Sequence, residues 1–493
     1  MRLQPNTYAL LSAVLIAGIA VFLFATLRTG HDWDGDYALY IMNARNIAEG
    51  HPYAITGFIA NPKNPIHPAA YPPGLPLLLA PVYLSSGLNL QQMKWVCVLS
   101  FVLFLGVFSR TALRFLPPPL ALAATAAIGL HPYLWNFKDT IFSELPFLFC
   151  CYAALHLFDN LCRRDPVAGR GTLVAAALAL AYAYLIRTVG IVLFPVALLA
   201  AFYAWRTLLN RGTIAVALAA AMGGAVNLLF PNDLNTYVGY FGGVGLHGHV
   251  QQVLRYSGAA IAFLGTKTLF GSPLLAGVAI LALAVLALLG LATRIRERWS
   301  IYEIFFICYT GFLLLYPVNL EPDRYSLPLW PLLILYAFRG ARMVGDYGGK
   351  SWRYGVPATL CLGVAALFAF EYSRADFGPI PYSVTAPQTT ELFSSIKASV
   401  PADAVLLARK PTIVALFTDR RATTWPLAFS DAQLWRYMRS VRANFIVQDV
   451  VNLGGIKRGS HDELDAFIER NRSALTLLYS NEWFRLYQVN TRS

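Results

Sequence analysis

Charge is what this 493-residue chain has least of, with Asp, Glu, Lys and Arg together making up only 13%. A soluble domain carries about a quarter, so an ordinary water-exposed globule is excluded for most of the length. The six cysteines form no Cys-x-x-Cys and no Cys/His pair at metal-ligand spacing, which speaks against a structural zinc site. They fall in apolar stretches or beside a basic loop, so no extracytoplasmic disulfide is expected. No small-x-small cleavage site stands out before Arg28. The first apolar stretch, about 20 residues long, therefore reads as a retained span and not as a signal peptide. Internal repeats and low-complexity tracts are also missing.

What is there is apolar. Hydrophobic residues make up 57% and come in blocks of helix-spanning length, such as Tyr8 to Leu27, Val189 to Trp205, Ile214 to Phe230 and Leu274 to Leu291. A bilayer core asks for about 17–25 such residues per helix. Leu173 to Ile186 is a shorter run of the same kind. The chain is a polytopic α-helical membrane protein.

The net charge of +13 could suggest a nucleic-acid partner, but its distribution argues for none. Much of the excess sits in short loops: Arg110 and Arg114; Arg163, Arg164 and Arg170; Arg206 and Arg211; Arg294, Arg296 and Arg298; Arg339, Arg342, Lys350 and Arg353. Placing those loops in the cytoplasm satisfies the positive-inside rule. The N-terminus is then cytoplasmic, about eleven helices cross, and the C-terminal segment ends outside. Residues 1–375 form the membrane part, with outer loops at 28–75 and 231–272. Residues 376–493 have soluble composition and alternate helical and strand-like runs, from Thr389–Val400 and Ala404–Ala408 to Leu475–Tyr479 and Trp483–Val489. That alternation predicts a small α/β layer outside the membrane.

The first outer loop holds the sharpest pattern. From Asp36, the expected N-cap, to Gly50 just past the end, the residues Tyr37, Tyr40, Ile41, Ala44, Ile47 and Ala48 share one helical face. Asn43, Asn46 and Glu49 line the other. Directly after a span, such a helix is expected in the membrane interface. Asp32, Asp34 and Asp36 crowd its start. Their bland reading is capping and solvation. The sharper one makes one of them a general base for an attacking alcohol, with repulsion and partial desolvation raising at least one pKa. The loop closes on Tyr71-Pro72-Pro73-Gly74, where the prolines set an extended entry into a helix.

GDYALYIMNARNIAEGHPY followed by YPPGLPLLLAP resembles the first periplasmic loop of the GT-C glycosyltransferases, in the protein O-mannosyltransferase and aminoarabinose transferase-like branch. That resemblance makes Asp36 the catalytic base, with Asp34 the next candidate. FSELPFLF, Phe142 to Phe149, resembles the family's second acidic site and assigns it to Glu144. LIRTVGIVLFP (Leu185 to Pro195) and DRYSLPLWP (Asp323 to Pro331) fit the same pattern. One departure stands out: relatives that transfer aminoarabinose have Lys-Pro-Pro where this chain has Tyr71-Pro72-Pro73, and Tyr71 cannot bring that lysine's charge to a donor phosphate.

On the topology above, Arg324, Arg187 and Lys138 lie at outer ends of spans, where they could steady a departing lipid phosphate. The alternative for each is snorkelling or local pairing, such as Arg324 with Asp323 or Glu321. His31, His51 and His67 share the acidic loop without helical ligand spacing, so no protein-bound metal is expected. A divalent ion arriving with the donor phosphate stays open. His247 and His249, in a Gly-rich stretch, suit either an ordinary loop or one that closes over substrate. Arg409-Lys410 and Arg420-Arg421 read as solvated surface, or more weakly as contacts for an anionic glycan.

Taken with the resemblance, these residues point to a metal-independent, inverting glycosyltransferase of a bacterial inner membrane. Its donor would be a sugar on polyprenyl phosphate and its acceptor a hydroxyl of a glycan, lipid or protein. The rival is a transporter or flippase for lipid-linked saccharides, whose ionisable residues would lie near the bilayer midplane.

Overall fold

A computed structural model describes residues 4–61, 68–163, 169–230, 251, 273–315, 322–426, 429–451, 453 and 461–490. His67 and the Gly-rich stretch with His247 and His249 lie outside the described residues. The helical part runs through α1 (Pro5–Ala25), α2 (Asp36–Glu49), α3 (Gly74–Ser86), α4 (Leu90–Ala112), α5 (Pro118–Gly129), α6 (Pro132–Asn136), α7 (Glu144–Cys162) and α8 (Arg170–Ile186). It continues with α9 (Leu193–Trp205), α10 (Arg211–Leu229), α11 (Pro273–Glu297), α12 (Ile301–Leu315), α13 (Pro322–Ser326), α14 (Trp330–Tyr347) and α15 (Lys350–Ser373).

Among the described residues, 7 helices are long and apolar enough to cross a membrane, and four shorter apolar ones accompany them. Their lipid-facing sides are apolar too, so hydrophobicity alone cannot hold them together. Packing does it instead. Where α11 crosses α14, a Cβ on Gly290 would run into the Tyr336 carbonyl, and one on Gly340 into that of Leu286. Only glycine allows that approach.

The C-terminal part holds α16 (Pro387–Ser399), β1 (Val405–Ala408), α17 (Pro411–Thr418), β2 (Arg421–Thr423), α18 (Asp431–Val441), β3 (Ala443–Asp449), α19 (His461–Arg470), β4 (Leu475–Ser480) and β5 (Phe484–Val489). The strands form one sheet in the order β2-β1-β3-β5-β4. The β2-β1-β3 half is parallel, with Leu407 opposite Thr423 and Ile446, and the β3-β5-β4 half is antiparallel. The expected helices and strands are present. The helix α17 and the strand β2 were not expected: PTIVALFT is buried nearly all round and so carries no 3.6-residue stripe.

This α/β layer is not a tethered module. Its residues Leu392, Ile413, Ala415 and Phe445 share one apolar core with Tyr37, Ile41, Leu75 and Ile141 of the membrane part. The first outer loop also extends the sheet. Ile59 N donates to Ala422 O at 2.8 Å and Ala422 N to Gly57 O at 3.0 Å, covering the exposed edge of β2.

One expectation for α2 is corrected by this arrangement. Its N-cap is Gly35, and Asp36 is the first helical residue, leaving its carboxylate free for other partners. Asn43 and Asn46, on the polar side, are both buried, and α17 packs on α2. Asn46 spends its amide on the carbonyls of Pro52, Tyr53 and Ile55 at 3.1, 3.0 and 2.8 Å. Gly50, at φ 72°, ends the helix in the left-handed conformation expected of it.

Candidate active site

Four chain segments deliver charged groups to one point. Asp36 opens α2, Glu144 opens α7, Arg187 caps the C-terminus of α8, and Arg324 lies in the short α13. Arg324 joins the two acids: its Nη1 is 3.0 Å from Asp36 Oδ2 and its Nε 2.5 Å from Glu144 Oε1. Arg187 Nη1 reaches the same Glu144 oxygen at 2.5 Å. The other Asp36 oxygen, Oδ1, accepts the Tyr71 hydroxyl at 2.7 Å. Glu144 is 1% exposed, and its Oε2 has no hydrogen-bond partner among the described residues.

The guanidiniums are held flat by aromatic rings. Arg324 lies 4.5 Å from the Phe142 ring centre and Arg187 lies 4.7 Å from that of Tyr325. Ser143 adds a polar contact, accepting from Tyr40 at 3.1 Å and from Arg187 at 3.3 Å. Two guanidiniums facing two carboxylates give a locally neutral cluster in which the paired charges offset the cost of burial. An incoming anion can exchange with either carboxylate for the arginines' donors, since the bidentate fork suits phosphate as well as carboxylate.

The acids upstream of Asp36 are pushed in opposite directions. Burial, helped by the charge of Asp36 and opposed by Lys410 and Arg324, drives the Asp34 carboxyl up to about 6. Burial would also raise Asp32, but the hydrogen bond from His31, the Asp34 amide and the charge of Lys410 outweigh it and bring it down. His31 is fully buried: it stacks on Tyr37 at 3.7 Å, and its Nε2 accepts the Ile141 amide at 3.1 Å. With Nε2 accepting, the ring proton lies on Nδ1, facing Asp32 Oδ1 at 3.0 Å.

Lys138 is not brought to this cluster. It is buried against Asp139 at 2.6 Å and sits 3.8 Å from the Trp135 ring centre. Arg409, read as solvated, is instead buried against Asp449 at 3.1 Å. Arg420 donates to the carbonyls of Val400, Thr418 and Lys397, which ties α16 to α17. The linear pattern did not show the contacts of three contributors. Tyr71 was expected in the donor or acceptor loop, in place of a lysine, and its hydroxyl engages Asp36. Lys410 and Thr412 reach the acidic loop from the other end of the chain, Thr412 through its 3.2 Å bond to Gly35 O.

Among the described residues no group of three or more His, Cys, Asp and Glu is arranged to hold a metal ion. The acidic loop does not fit a resident ion as folded, because both Asp36 oxygens and Asp32 Oδ1 already have protein donors.

The same architecture recurs in solved structures. ArnT from Cupriavidus metallidurans bound to undecaprenyl phosphate is similar over 98% of both chains, at 15% identity and a TM-score of 0.59. The archaeal oligosaccharyltransferase AglB from Archaeoglobus fulgidus, in complex with an inhibitory peptide and a dolichol-phosphate, matches at a TM-score of 0.60 and 12% identity, over 90% of this chain and 69% of its own. Arabinofuranosyltransferase AftD from Mycobacteria matches at 0.57 and 14%, over 100% of this chain and 42% of its own. All three are GT-C glycosyltransferases.

The chain has the GT-C fold.

A further structure of the Archaeoglobus enzyme holds zinc and sulfate. No family model matches the sequence, and no curated protein matches it. The likeness therefore lives in the backbone.

Proposed function

We propose that this GT-C protein is a membrane glycosyltransferase. It moves a sugar from a polyprenyl-phosphate donor to an acceptor hydroxyl at the periplasmic or extracellular face of a bacterial plasma membrane. The observation that carries the reading is Arg324, which bridges Asp36 and Glu144 from 288 and 180 residues away in the chain. A transporter has no need of such a convergence at one end of the helices. The N-terminus is then cytoplasmic, residues 1–375 form the membrane catalytic part, and 376–493 form the outer layer.

In this reading Asp36 takes the proton from the acceptor hydroxyl as it attacks the anomeric carbon from the face opposite the phosphate, inverting its configuration. Arg187 and Arg324 stabilise the charge that grows on the departing polyprenyl phosphate. The resting contact between Arg324 and Asp36 gives the sequence of events a physical basis. Donor phosphate competes for Arg324 and loosens its hold on Asp36 Oδ2, so the base is released when donor is present. Tyr71 keeps the carboxylate oriented through Oδ1, where other branch members place a lysine. Glu144 holds both arginines and offers its remaining oxygen to a sugar hydroxyl.

Transfer from purified polyprenyl-phosphate sugars tests the proposal, with wild type compared against Asp36→Asn. Loss of about 10²–10⁴ in rate is expected for a general base. Full activity in that variant would move the role to Asp34. No transfer by wild type across hexose and pentose donors would sink the enzyme reading.

A further inference from the structure

Glu144 begins α7, and at the other end of the same helix, about 27 Å away at 1.5 Å per residue, lies a second charged cluster that glycosyl transfer does not use. Asp159 is 1% exposed there. Its Oδ2 takes Arg163 Nε at 2.7 Å and also Arg114, which further donates to Tyr302 at 3.2 Å. Beside them is a cavity of about 390 Å³, lined by Asp159, Arg163, Arg206, Arg298, Tyr203 and Trp299 among others. Arg206 sits at φ 56°, a left-handed helix end where glycine is the usual choice. Its guanidinium lies 4.8 Å from the Tyr203 ring centre.

Basic residues at this end are what the positive-inside rule demands. That rule does not demand a concave site, nor a buried carboxylate with an oxygen to spare. Asp159 Oδ1 has no hydrogen-bond partner among the described residues. Three arginines at one cavity call for an anion, and the unpaired oxygen calls for a hydroxyl donor a few ångströms away. An anion without a hydroxyl meets the first demand and is repelled by the second. A phosphodiester carrying a polyol meets both. Trp299, part-exposed at the rim, suits the water–lipid boundary.

We propose that this cavity binds the polyol-phosphate headgroup of an anionic phospholipid, in the leaflet opposite the Asp36 site. That it is the inner leaflet rests on the topology of the proposed function; the binding itself does not. The phosphate bridges Arg206, Arg298 and Arg163, and a headgroup hydroxyl donates to Asp159 Oδ1.

Native mass spectrometry of the delipidated full chain tests this, with four probes of equal concentration. These are phosphatidylglycerol, phosphatidylmethanol (same charge, no hydroxyl), phosphatidylcholine and inorganic phosphate. Phosphatidylglycerol is expected to bind at least about tenfold tighter than phosphatidylcholine, and severalfold tighter than phosphatidylmethanol. Arg206→Gln and Arg298→Gln are each expected to weaken it about tenfold, since each removes a charge-assisted contact. Both arginines are exposed, so these variants should fold; an unchanged melting temperature verifies it. Competition by millimolar inorganic phosphate, with no preference among lipids, would support the anion site but overturn the lipid as its source. Equal binding of phosphatidylglycerol and phosphatidylmethanol would overturn the role of Asp159 Oδ1. Binding unaffected by both arginine changes would overturn the site. Because the readout is binding, it stands whether or not transfer is detected.

Discussion

Replacing Arg324 by alanine separates a structural ion pair from a catalytic one. The Arg324 side chain makes two contacts of unequal worth. Asp36 is 28% exposed, so that pair is screened and contributes about 1 kcal/mol or less. Glu144 is 1% exposed and hydrogen-bonded, and taking one partner from such a buried pair costs about 3–5 kcal/mol. Arg187 remains on the same Glu144 oxygen and limits that loss, so about 2–3 kcal/mol is the expected destabilisation. The chemical effect is separate. If Arg324 stabilises the leaving phosphate, its removal should lower kcat by about 10²–10³, as for loss of one donor to a developing anion. The assay pairs single-turnover transfer from a polyprenyl-phosphate sugar with thermal unfolding in detergent. Arg324→Lys sharpens it: one ammonium cannot reproduce a fork that reaches both carboxylates, so the lysine variant should regain part of the stability but little of kcat. An alanine variant that is destabilised by this amount yet turns over within threefold of wild type would refute the reasoning. Arg324 would then be a strut, and the phosphate would be held elsewhere.

Asp34→Asn gives a pH-dependent stability. Wild-type Asp34 titrates near 6 in the fold against 3.8 outside it, so its contribution is intact below about 3.8 and is lost as pH rises through 6. The asparagine variant should therefore gain on wild type by about 1.4 kcal/mol between pH 5 and pH 8, the rest of the roughly 3 kcal/mol falling below pH 5; melting curves with equal offsets at both pH values would contradict the burial of this acid. Asn46→Ala removes the bonds that tie the chain after α2, leaving the buried Tyr53 carbonyl without its donor while Pro52 O keeps the Ile55 amide, and should cost about 1–2 kcal/mol, read as a lower melting temperature and faster proteolysis near residues 52–55. Wild-type resistance there would show that water replaces the amide. Gly340→Ala puts a Cβ against the Leu286 carbonyl and should cost about 3 kcal/mol or more, seen as loss of a monodisperse peak in size-exclusion chromatography; a wild-type profile would show that α11 and α14 can part freely.

Local patterns made much of this fold legible. The extent of α18 was legible, its start fixed in the structure by a Ser430–Gln433 capping box, and Gly50 ends α2 where a left-handed residue is needed. The charged members of the site, Asp36, Glu144, Arg187 and Arg324, stand in short motifs at helix ends, and the structure brings those four together. What stayed hidden was pairwise and long-range. Whether a lysine at an outer helix end faces substrate or a neighbouring acid depends on a single rotamer choice. Lys138 had Asp139 next to it and took that partner. Tyr71 meets Asp36 across 35 residues of loop, and no periodicity encodes that approach. That α2 would pack against α17 was hidden because α17 comes from the far end of the chain and lacks a stripe of its own.

That distant cover changes what positions the acidic loop. Upstream, the buried Lys94 amine holds the carbonyls of Arg28 and Gly30, and the Arg28 amide is held in turn by Asp139 at 2.8 Å. His31 is wedged between Tyr37 and the Ile141 amide. Downstream, Thr412 of α17 holds the Gly35 carbonyl. The three residues between His31 and Gly35 include Asp32 and Asp34, and the segment delivers Asp36 to Tyr71 and Arg324, so little freedom is left to the carboxylate before substrate arrives. A proton-abstracting group fixed in this way loses less entropy in the transition state than one on a free loop. Lys94, His31 and the C-terminal layer thus all belong to the placement of Asp36. Lys138 belongs with them: by pairing with Asp139 it helps set the residue that holds the loop's entry, one contact removed from the chemistry it was first assigned to.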